Sequence, residues 1–353
     1  MNSQVNLTDL EYSKLESFVT ETLGQPKFRA KQIFGWIHGG PAKDGGIRMG
    51  AESFEDMSNL PKSLRAKLAE CATLVQPAVL REQVSELDGT RKFLFGLEDG
   101  NAIESVFMKY KFGNSICVSS QAGCRMGCRF CASTIGGLKR NLTPGEIVGQ
   151  ILAAQKQTGE RISHVVVMGT GEPFDNYENL AAFIRIINDR NGLDIGMRNI
   201  TVSTCGLVPK IARFAEDFPQ VNLAISLHAA SDEMRSEIMP VNKTYPMETL
   251  LEACKEYTEK TSRRITFEYT LVKGVNDSTE HAKMLASRLR GMLCHVNLIP
   301  LNKVEETGYD TTERGAVIRF QKVLNENGIP ATIRRELGDD IDAACGQLRL
   351  SES

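Results

Sequence analysis

The sequence predicts an α/β protein whose larger part is a partial, TIM-like barrel of six β–α steps, preceded by a small helical module and a β-hairpin. Three observations carry that prediction. From residue 115 onward, short β-branched runs alternate with longer stretches of helical periodicity. Such steps in series imply parallel strands with helices outside, in a doubly wound sheet or a barrel. Each run is followed by a polar or glycine-bearing motif, and in a parallel barrel that carboxyl edge is the active-site face. Six repeats, where a closed barrel has eight, leave an open side that admits a large substrate.

Taken in order, residues 1–72 read as the helical module. Apolar periodicity predicts helices over Leu10–Leu23 and Lys31–His38, the second carrying the only tryptophan, Trp36. A glycine-rich break at Gly39–Gly46 follows, then a helix over Ser58–Leu68 that starts near Asn59 and Pro61. Residues 73–112 are β-rich. A β-like segment, Thr73–Arg81, precedes Lys92–Phe95 and Ile103–Lys109, which flank the turn Glu98-Asp-Gly-Asn101 as a hairpin. Residues 113–353 form the barrel. Its strands are Ile116–Ser119, His164–Met168, Ile200–Ser203, Asn222–Ser226, Ile265–Leu271 and His295–Ile299. Helices over Thr143–Thr158, Tyr177–Asp189, Val208–Ala215, Met247–Thr261 and Glu280–Arg290 separate them, and Thr312–Asn327 and a short strand, Ala331–Arg335, complete the chain.

Composition narrows the class. Hydrophobic residues make up 41% and charged residues 24%, which excludes a mainly disordered chain. No apolar run approaches the roughly 18 residues of a membrane span, and Met1–Leu10 has no export signal, so a soluble cytoplasmic protein is expected. A net charge of −2 requires any nucleic-acid partner to meet a local basic patch. Nine cysteines, an odd number, point away from a disulfide scaffold and toward metal or redox chemistry.

Three of those cysteines are clustered. Gln121-Ala-Gly-Cys124-Arg-Met-Gly-Cys128-Arg-Phe-Cys131 spaces them as C-x3-C-x2-C directly after the first barrel strand. Three thiolates from one loop can hold three irons of a cubane and leave the fourth open to substrate. Zinc needs a fourth ligand, yet there is no second C-x2-C pair and the nearest downstream histidine is His164. Three buried structural cysteines are the remaining alternative.

The spacing, its place after the first strand, the aromatic Phe130, and Gly169-Thr-Gly-Glu172-Pro173 after the second strand resemble the radical S-adenosylmethionine (SAM) superfamily. The resemblance narrows further. Cys117-Val-Ser-Ser-Gln-Ala-Gly-Cys124, Cys131-Ala-Ser-Thr-Ile-Gly-Gly-Leu-Lys-Arg-Asn-Leu142, Gly171-Glu-Pro-Phe-Asp-Asn176, Ser226-Leu-His228 and Asp342-Ala-Ala-Cys345-Gly-Gln-Leu348 closely resemble the RlmN family, from about Pro26 to Leu348. Thr170 departs from the Met or Ile that is common there.

That resemblance implies a fold of the radical SAM type, with one 4Fe-4S cluster on Cys124, Cys128 and Cys131 and SAM on its open iron. It implies SAM contacts from Gly171, Glu172, Ser203, Ser226, Leu227, His228 and Asn302. The implied reaction methylates carbon 2 of an adenine in 23S rRNA, at the peptidyl transferase centre, and of the adenine 3′ to the anticodon in tRNA. Two SAM molecules are used per methylation. Carbon 2 of adenine has no lone pair to attack the SAM methyl, so the methyl is first parked on a thiol and then made into a carbon radical. Cys345, in an acidic, small-residue tail near Arg334 and Arg335, takes the carrier role, Cys117 resolves the protein–RNA bond through a transient disulfide, and Glu104 is the proton acceptor. An electron donor such as flavodoxin or ferredoxin, no membrane partner and a monomer complete the expectation.

Cys71, Cys254 and Cys294 read as packing residues, and Cys205 as a neighbour of the site. Lys27, Arg29 and Lys31, with Lys139 and Arg140, are candidates for phosphate contacts, a solvated charged face being the alternative. Trp36 is expected to pack rather than stack on a base. Two other readings stand: the sister Cfr family, methylating carbon 8 of the same rRNA adenine, and a non-catalytic iron–sulfur RNA-binding or redox-sensing protein. Glu172, Ser226-Leu227-His228 and Cys345 argue against the last, because a sensor needs neither SAM contacts nor a carrier thiol.

Overall fold

The structure, a computed structural model, describes residues 4–42, 46–302, 307–335 and 337–341. At the N-terminus α1 (Tyr12–Ser17) passes into a π-helical turn at Phe18–Thr22, where the Thr20 hydroxyl donates to the Glu16 carbonyl and competes with the regular ladder. Helix α2 (Phe28–His38) buries Ala30, Ile33, Phe34 and Ile37 on one face. It stops at Gly39, whose φ of +63° is left-handed and whose added Cβ would lie 2.1 Å from the Arg48 carbonyl oxygen. Trp36 packs on this core and donates from Nε1 to Asn59 Oδ1 at 2.7 Å. Helix α3 (Lys62–Cys71) begins only after Pro61, later than its apolar pattern suggests, because Pro61 holds the extended backbone of the N-cap and forbids a helical residue before it.

One ten-stranded sheet organises the rest. Its strands are β1 (Ala78–Val84), β2 (Arg91–Gly96), β3 (Ala102–Tyr110), β4 (Gly113–Val118), β5 (Ile162–Val167), β6 (Ile200–Thr204), β7 (Asn222–Ser226), β8 (Ile265–Leu271), β9 (Cys294–Pro300) and β10 (Ala331–Ile333). The first four are antiparallel to one another, and β4 to β10 are all parallel. Spatial order equals chain order, so every crossover steps to the next strand in the same direction and puts its helix on the same face. That is a barrel winding, and it decides against the doubly wound alternative. The covering helices include α4 (Pro144–Thr158), α5 (Tyr177–Asn188), α6 (Val208–Asp217), α7 (Asp232–Ile238), α8 (Met247–Thr261), α9 (Thr279–Leu289) and α10 (Arg314–Glu326).

Two differences from the sequence reading have physical causes. The last short strand joins the sheet as a seventh parallel member, through Val296 opposite Ala331. The hairpin is continuous with the barrel sheet, since β3 pairs with β4 from Val106–Cys117 to Tyr110–Gly113. Its third strand, β1, starts after Pro77, which cannot donate to a ladder. Strand alternation then sorts the side chains. Ile116, Val118, Val165 and Val202 face the helices, whereas Ser203, Ser226, Glu268 and Asn297 face the lumen.

Candidate active site

A cleft opens at the carboxyl ends of the parallel strands, where ligand sites of such folds lie. Cys124, Cys128, Cys131, Gly171, Glu172, Ser203, Ser226, His228 and Asn302 all line it, although they span the whole barrel in sequence. Leu227 lies fully buried between two of them.

The cysteine loop leaves a short strand, Gln121–Gly123, that pairs antiparallel with Leu138–Asn141. Its backbone is fixed by Arg129 N–H donating to the Ile238 carbonyl at 2.9 Å, and the Thr134 hydroxyl donates to the Cys131 carbonyl at 2.9 Å. Burial pushes the Cys124 thiol up to about 12 and the Cys128 thiol well above its ordinary value. A metal cation bound beside such thiols would displace their protons and pair with the thiolates, so the donor set suits a soft metal centre. Among the described residues no three His, Cys, Asp or Glu side chains converge as ligands of a single ion. A cubane spreads its cysteines over three irons and needs no such convergence.

Glu172 follows β5 and is 4% exposed. Its two carboxylate oxygens accept from Phe174 N at 2.9 Å and Cys205 N at 2.7 Å, which fixes it at the cleft wall. Burial raises its pKa against the pull of those hydrogen bonds. Close approach of two backbones sets the position. Gly171 has φ of +108° and an added Cβ there would come within 2.6 Å of Gln121 Cβ, while Gln121 Oε1 accepts from Glu172 N at 2.8 Å.

His228 is held in the left-handed region at φ +54°, with Nδ1 accepting from Thr270 N at 2.9 Å and its carbonyl accepting from Asn276 Nδ2 at 2.7 Å. Nε2 therefore carries the ring proton. Burial, helped by the charge of Arg235, lowers its pKa to about 3, so the ring is neutral across the physiological range. Phe130 meets it edge to face at 5.0 Å.

The profile of the "Radical SAM superfamily" matches residues 118–285, and that of the "Ribosomal RNA large subunit methyltransferase N-terminal domain" matches residues 5–74. A "Probable dual-specificity RNA methyltransferase RlmN" of Desulforamulus reducens is 52% identical over 348 residues, covering 99% of this chain and 97% of its own. A protein of the same description from Clostridium tetani is 52% identical over 349 residues, with the same coverage. The chain belongs to the RlmN family. The crystal structure of a radical SAM methyltransferase from Sphaerobacter thermophilus superposes with a TM-score of 0.91 at 45% identity, covering 98% of this chain and 100% of that one. Membership carries the radical SAM fold, and with it a 4Fe-4S cluster and SAM as the family's cofactors. No helix among the described residues is long and apolar enough to cross a membrane.

Two candidate residues of this RlmN-family chain lie off the cleft wall but on the same lumen face. Glu104, on β3, is 7% exposed and sits 3.2 Å from Lys92 Nζ; the solvent-facing charge that its hairpin position allows is not what forms. Cys117, on β4, faces Val106 and Val166 across its two neighbouring strands. It belongs to a small apolar cluster with Val106, Met108 and Ile341, onto which Met168 of the cleft wall also packs. Cys345 lies outside the described residues. Before it, Gly338 N donates to Asp88 Oδ2 and Glu86 N to Asp340 Oδ2, both at 3.0 Å, so the tail is pinned to the β1–β2 turn.

The structure also adds residues that sequence reasoning missed. Glu268 lines the cleft, accepts from Asn297 Nδ2 at 2.8 Å, and has its pKa raised by burial. Alternation in Ile265-Thr-Phe-Glu-Tyr-Thr-Leu271 puts it on the polar face with Thr266 and Thr270, a signal that was present. Arg140, a candidate for phosphate contact, is already engaged: it makes a bidentate pair with Glu146 at 2.7 Å and 2.7 Å and also bonds Asp99. Lys27 pairs with Glu16 at 2.8 Å, whereas Lys139 is exposed.

Proposed function

We propose that this chain methylates carbon 2 of an adenine in 23S rRNA and in tRNA, with Cys124, Cys128 and Cys131 as cluster ligands and Cys345 as the methyl carrier. The observation that carries the reading is the position of the tail. Ile341, four residues before Cys345, packs in the cluster that contains Cys117, and Met168 joins that cluster to the cleft. Four residues span at most about 14 Å of chain, which bounds how far Cys345 can lie from Ile341.

When bound, the cluster supplies the electron that cleaves SAM. The chain's own residues do the rest. Glu172, Ser203, Ser226, Leu227, His228 and Asn302, with the Gly171 backbone, orient SAM, and the neutral His228 offers a donor at Nε2 without adding charge. Cys345 takes a methyl group from one SAM, its S-methyl group then gives up one hydrogen atom to the 5′-deoxyadenosyl fragment of a second SAM, and the carbon so activated bonds to adenine carbon 2; as that adduct gives up one electron, Glu104, beside Lys92, accepts the proton leaving carbon 2. Cys117 then attacks the Cys345 sulfur: the S–S bond forms, the bond from that sulfur to the methylene carbon breaks, the freed carbon takes up a proton to become the methyl group, and external thiols reduce the disulfide. RNA reaches the lumen from the open side, and the adenine must leave its stack. The domain reading, an RNA-binding module over 1–72, β strands over 73–112 and a catalytic barrel from 113, belongs to this proposal, as do a cytoplasmic location and a monomeric state. A flavodoxin- or ferredoxin-class electron donor is part of it too.

The test is mass spectrometry of nucleosides from a 23S rRNA fragment and from tRNA after anaerobic incubation with reconstituted protein, reductant and SAM. The expected product is 2-methyladenosine in both. Production of 8-methyladenosine moves the chain to the Cfr reading, and release of 5′-deoxyadenosine without RNA methylation overturns the substrate assignment.

A further inference from the structure

Arg235, on α7, is fully buried although it carries a permanent charge. Its Nε donates to the Leu227 carbonyl at 3.2 Å, Nη1 to Asn242 Oδ1 at 2.9 Å, and Nη2 to the carbonyls of Cys205 at 2.6 Å and Ser226 at 3.3 Å. All four acceptors are uncharged. The hydrogen-bonding capacity is used, but no carboxylate among these contacts cancels the charge. Asp232 is reached only through Asn242, whose Nδ2 donates to Asp232 Oδ1 at 2.9 Å. Burying a cation with no direct counter-charge is costly, and an apolar side chain of similar length could fill the same volume.

The location of that charge gives it a use. Cys205, Ser226 and Leu227 belong to the turns after β6 and β7, which wall the cleft, and the Ile238 carbonyl at the end of α7 holds the cysteine loop through Arg129 N–H. The guanidinium thus stands behind Cys205, which packs in one apolar cluster with Ile238, Cys128 and Cys131. We propose that Arg235 is an electrostatic positioning residue for the iron–sulfur cluster, raising its reduction potential. This rests on the cluster reading above. Three thiolates on the oxidised core make a net negative site, and reduction adds one further negative charge in a low-dielectric pocket. A fixed cation nearby stabilises the reduced form more than the oxidised one. The electron comes from an external low-potential one-electron donor and resides on the cluster; no covalent bond changes.

The experiment uses the full chain with its cluster reconstituted. Iron and sulfide content are measured, and the midpoint is read by EPR-monitored titration with dithionite. Arg235→Met keeps the length and removes the charge, and its midpoint moves to more negative potential; Arg235→Lys stays near the parent. Asp232→Asn removes the nearest carboxylate and moves the midpoint the opposite way by less, which reads the sign even if the Met variant fails to fold. A Met variant that loads its cluster and titrates with the parent overturns the proposal, as does an Asp232→Asn variant whose midpoint does not move. A parent chain that assembles no EPR-active 4Fe-4S cluster overturns the cluster reading instead.

Discussion

In the proposed function the barrel lumen has a cofactor side and a carrier side, and the two are held by different kinds of contact. On the cofactor side, Glu172 and His228 are each locked by backbone groups at strand ends, and the cysteine loop is tied to α7 through main-chain hydrogen bonds. On the carrier side, Glu104 on β3 and Cys117 on β4 belong to the antiparallel pair that joins the hairpin to the barrel, and the tail is pinned by two aspartates, Asp88 and Asp340, and an apolar contact from Ile341. Rigid placement suits a site that must hold one cofactor geometry. Few anchors suit the role proposed for Cys345, a thiol that serves a methyl donor, a base and a resolving thiol in turn.

The sharpest break between the two sides comes from Cys128→Ala. It is expected to abolish iron loading and, with it, 5′-deoxyadenosine release, a loss of at least about 10³-fold by chromatography, because the thiolate ligand has no substitute in the loop. Release at the parental rate would remove the cofactor role from this side. Cys117→Ala is expected to leave the cluster and SAM cleavage intact while protein stays covalently attached to RNA on a denaturing gel. Free methylated RNA at parental turnover would show that another thiol resolves the adduct.

Glu104→Gln tests the carrier side more gently. Loss of a positioned base predicts a fall in RNA methylation of about 10²-fold or more, with 5′-deoxyadenosine release retained. Equal losses in both readouts would place Glu104 on the cofactor side. The smallest effect lies outside both. His38 is fully buried with neither ring nitrogen hydrogen-bonded, and burial lowers its pKa to about 3. The unfolded chain therefore binds a proton below about pH 6.5 that the folded chain refuses, so stability is intact above that pH and declines as pH falls toward 3. At pH 5 the loss is about 2 kcal/mol. His38→Leu is expected to flatten that part of a denaturation-versus-pH curve without altering methylation at pH 7.5, and an unchanged slope would reject the assignment.

Much of this was legible before the fold was known. Alternating β-branched and helical stretches located the first six of the seven parallel strands, and the C-x3-C-x2-C loop and Gly169-Thr-Gly-Glu172 were readable because cofactor contacts cluster where strands end. The signal for Glu268 lay in period-two alternation, which sets it on one face with Thr266 and Thr270. Arg235 gave no local signal: on a short helix it looks like any surface cation, and only the packing of the strand ends at Cys205 and at Ser226–Leu227 around it buries it.

The sequence by itself determined the element order, the cysteine spacing, and the residue types that a soft metal centre and a SAM site require, since these depend on local periodicity and on neighbours a few positions apart. The tertiary structure decided what joins over long separations. It chose barrel over doubly wound sheet, turned the hairpin into a continuation of the barrel, placed Cys117 beside Ile341, and committed Arg140 to Glu146 and Asp99. Those outcomes depend on sheet register and on which polar groups must be satisfied once buried, and neither is encoded within any single segment.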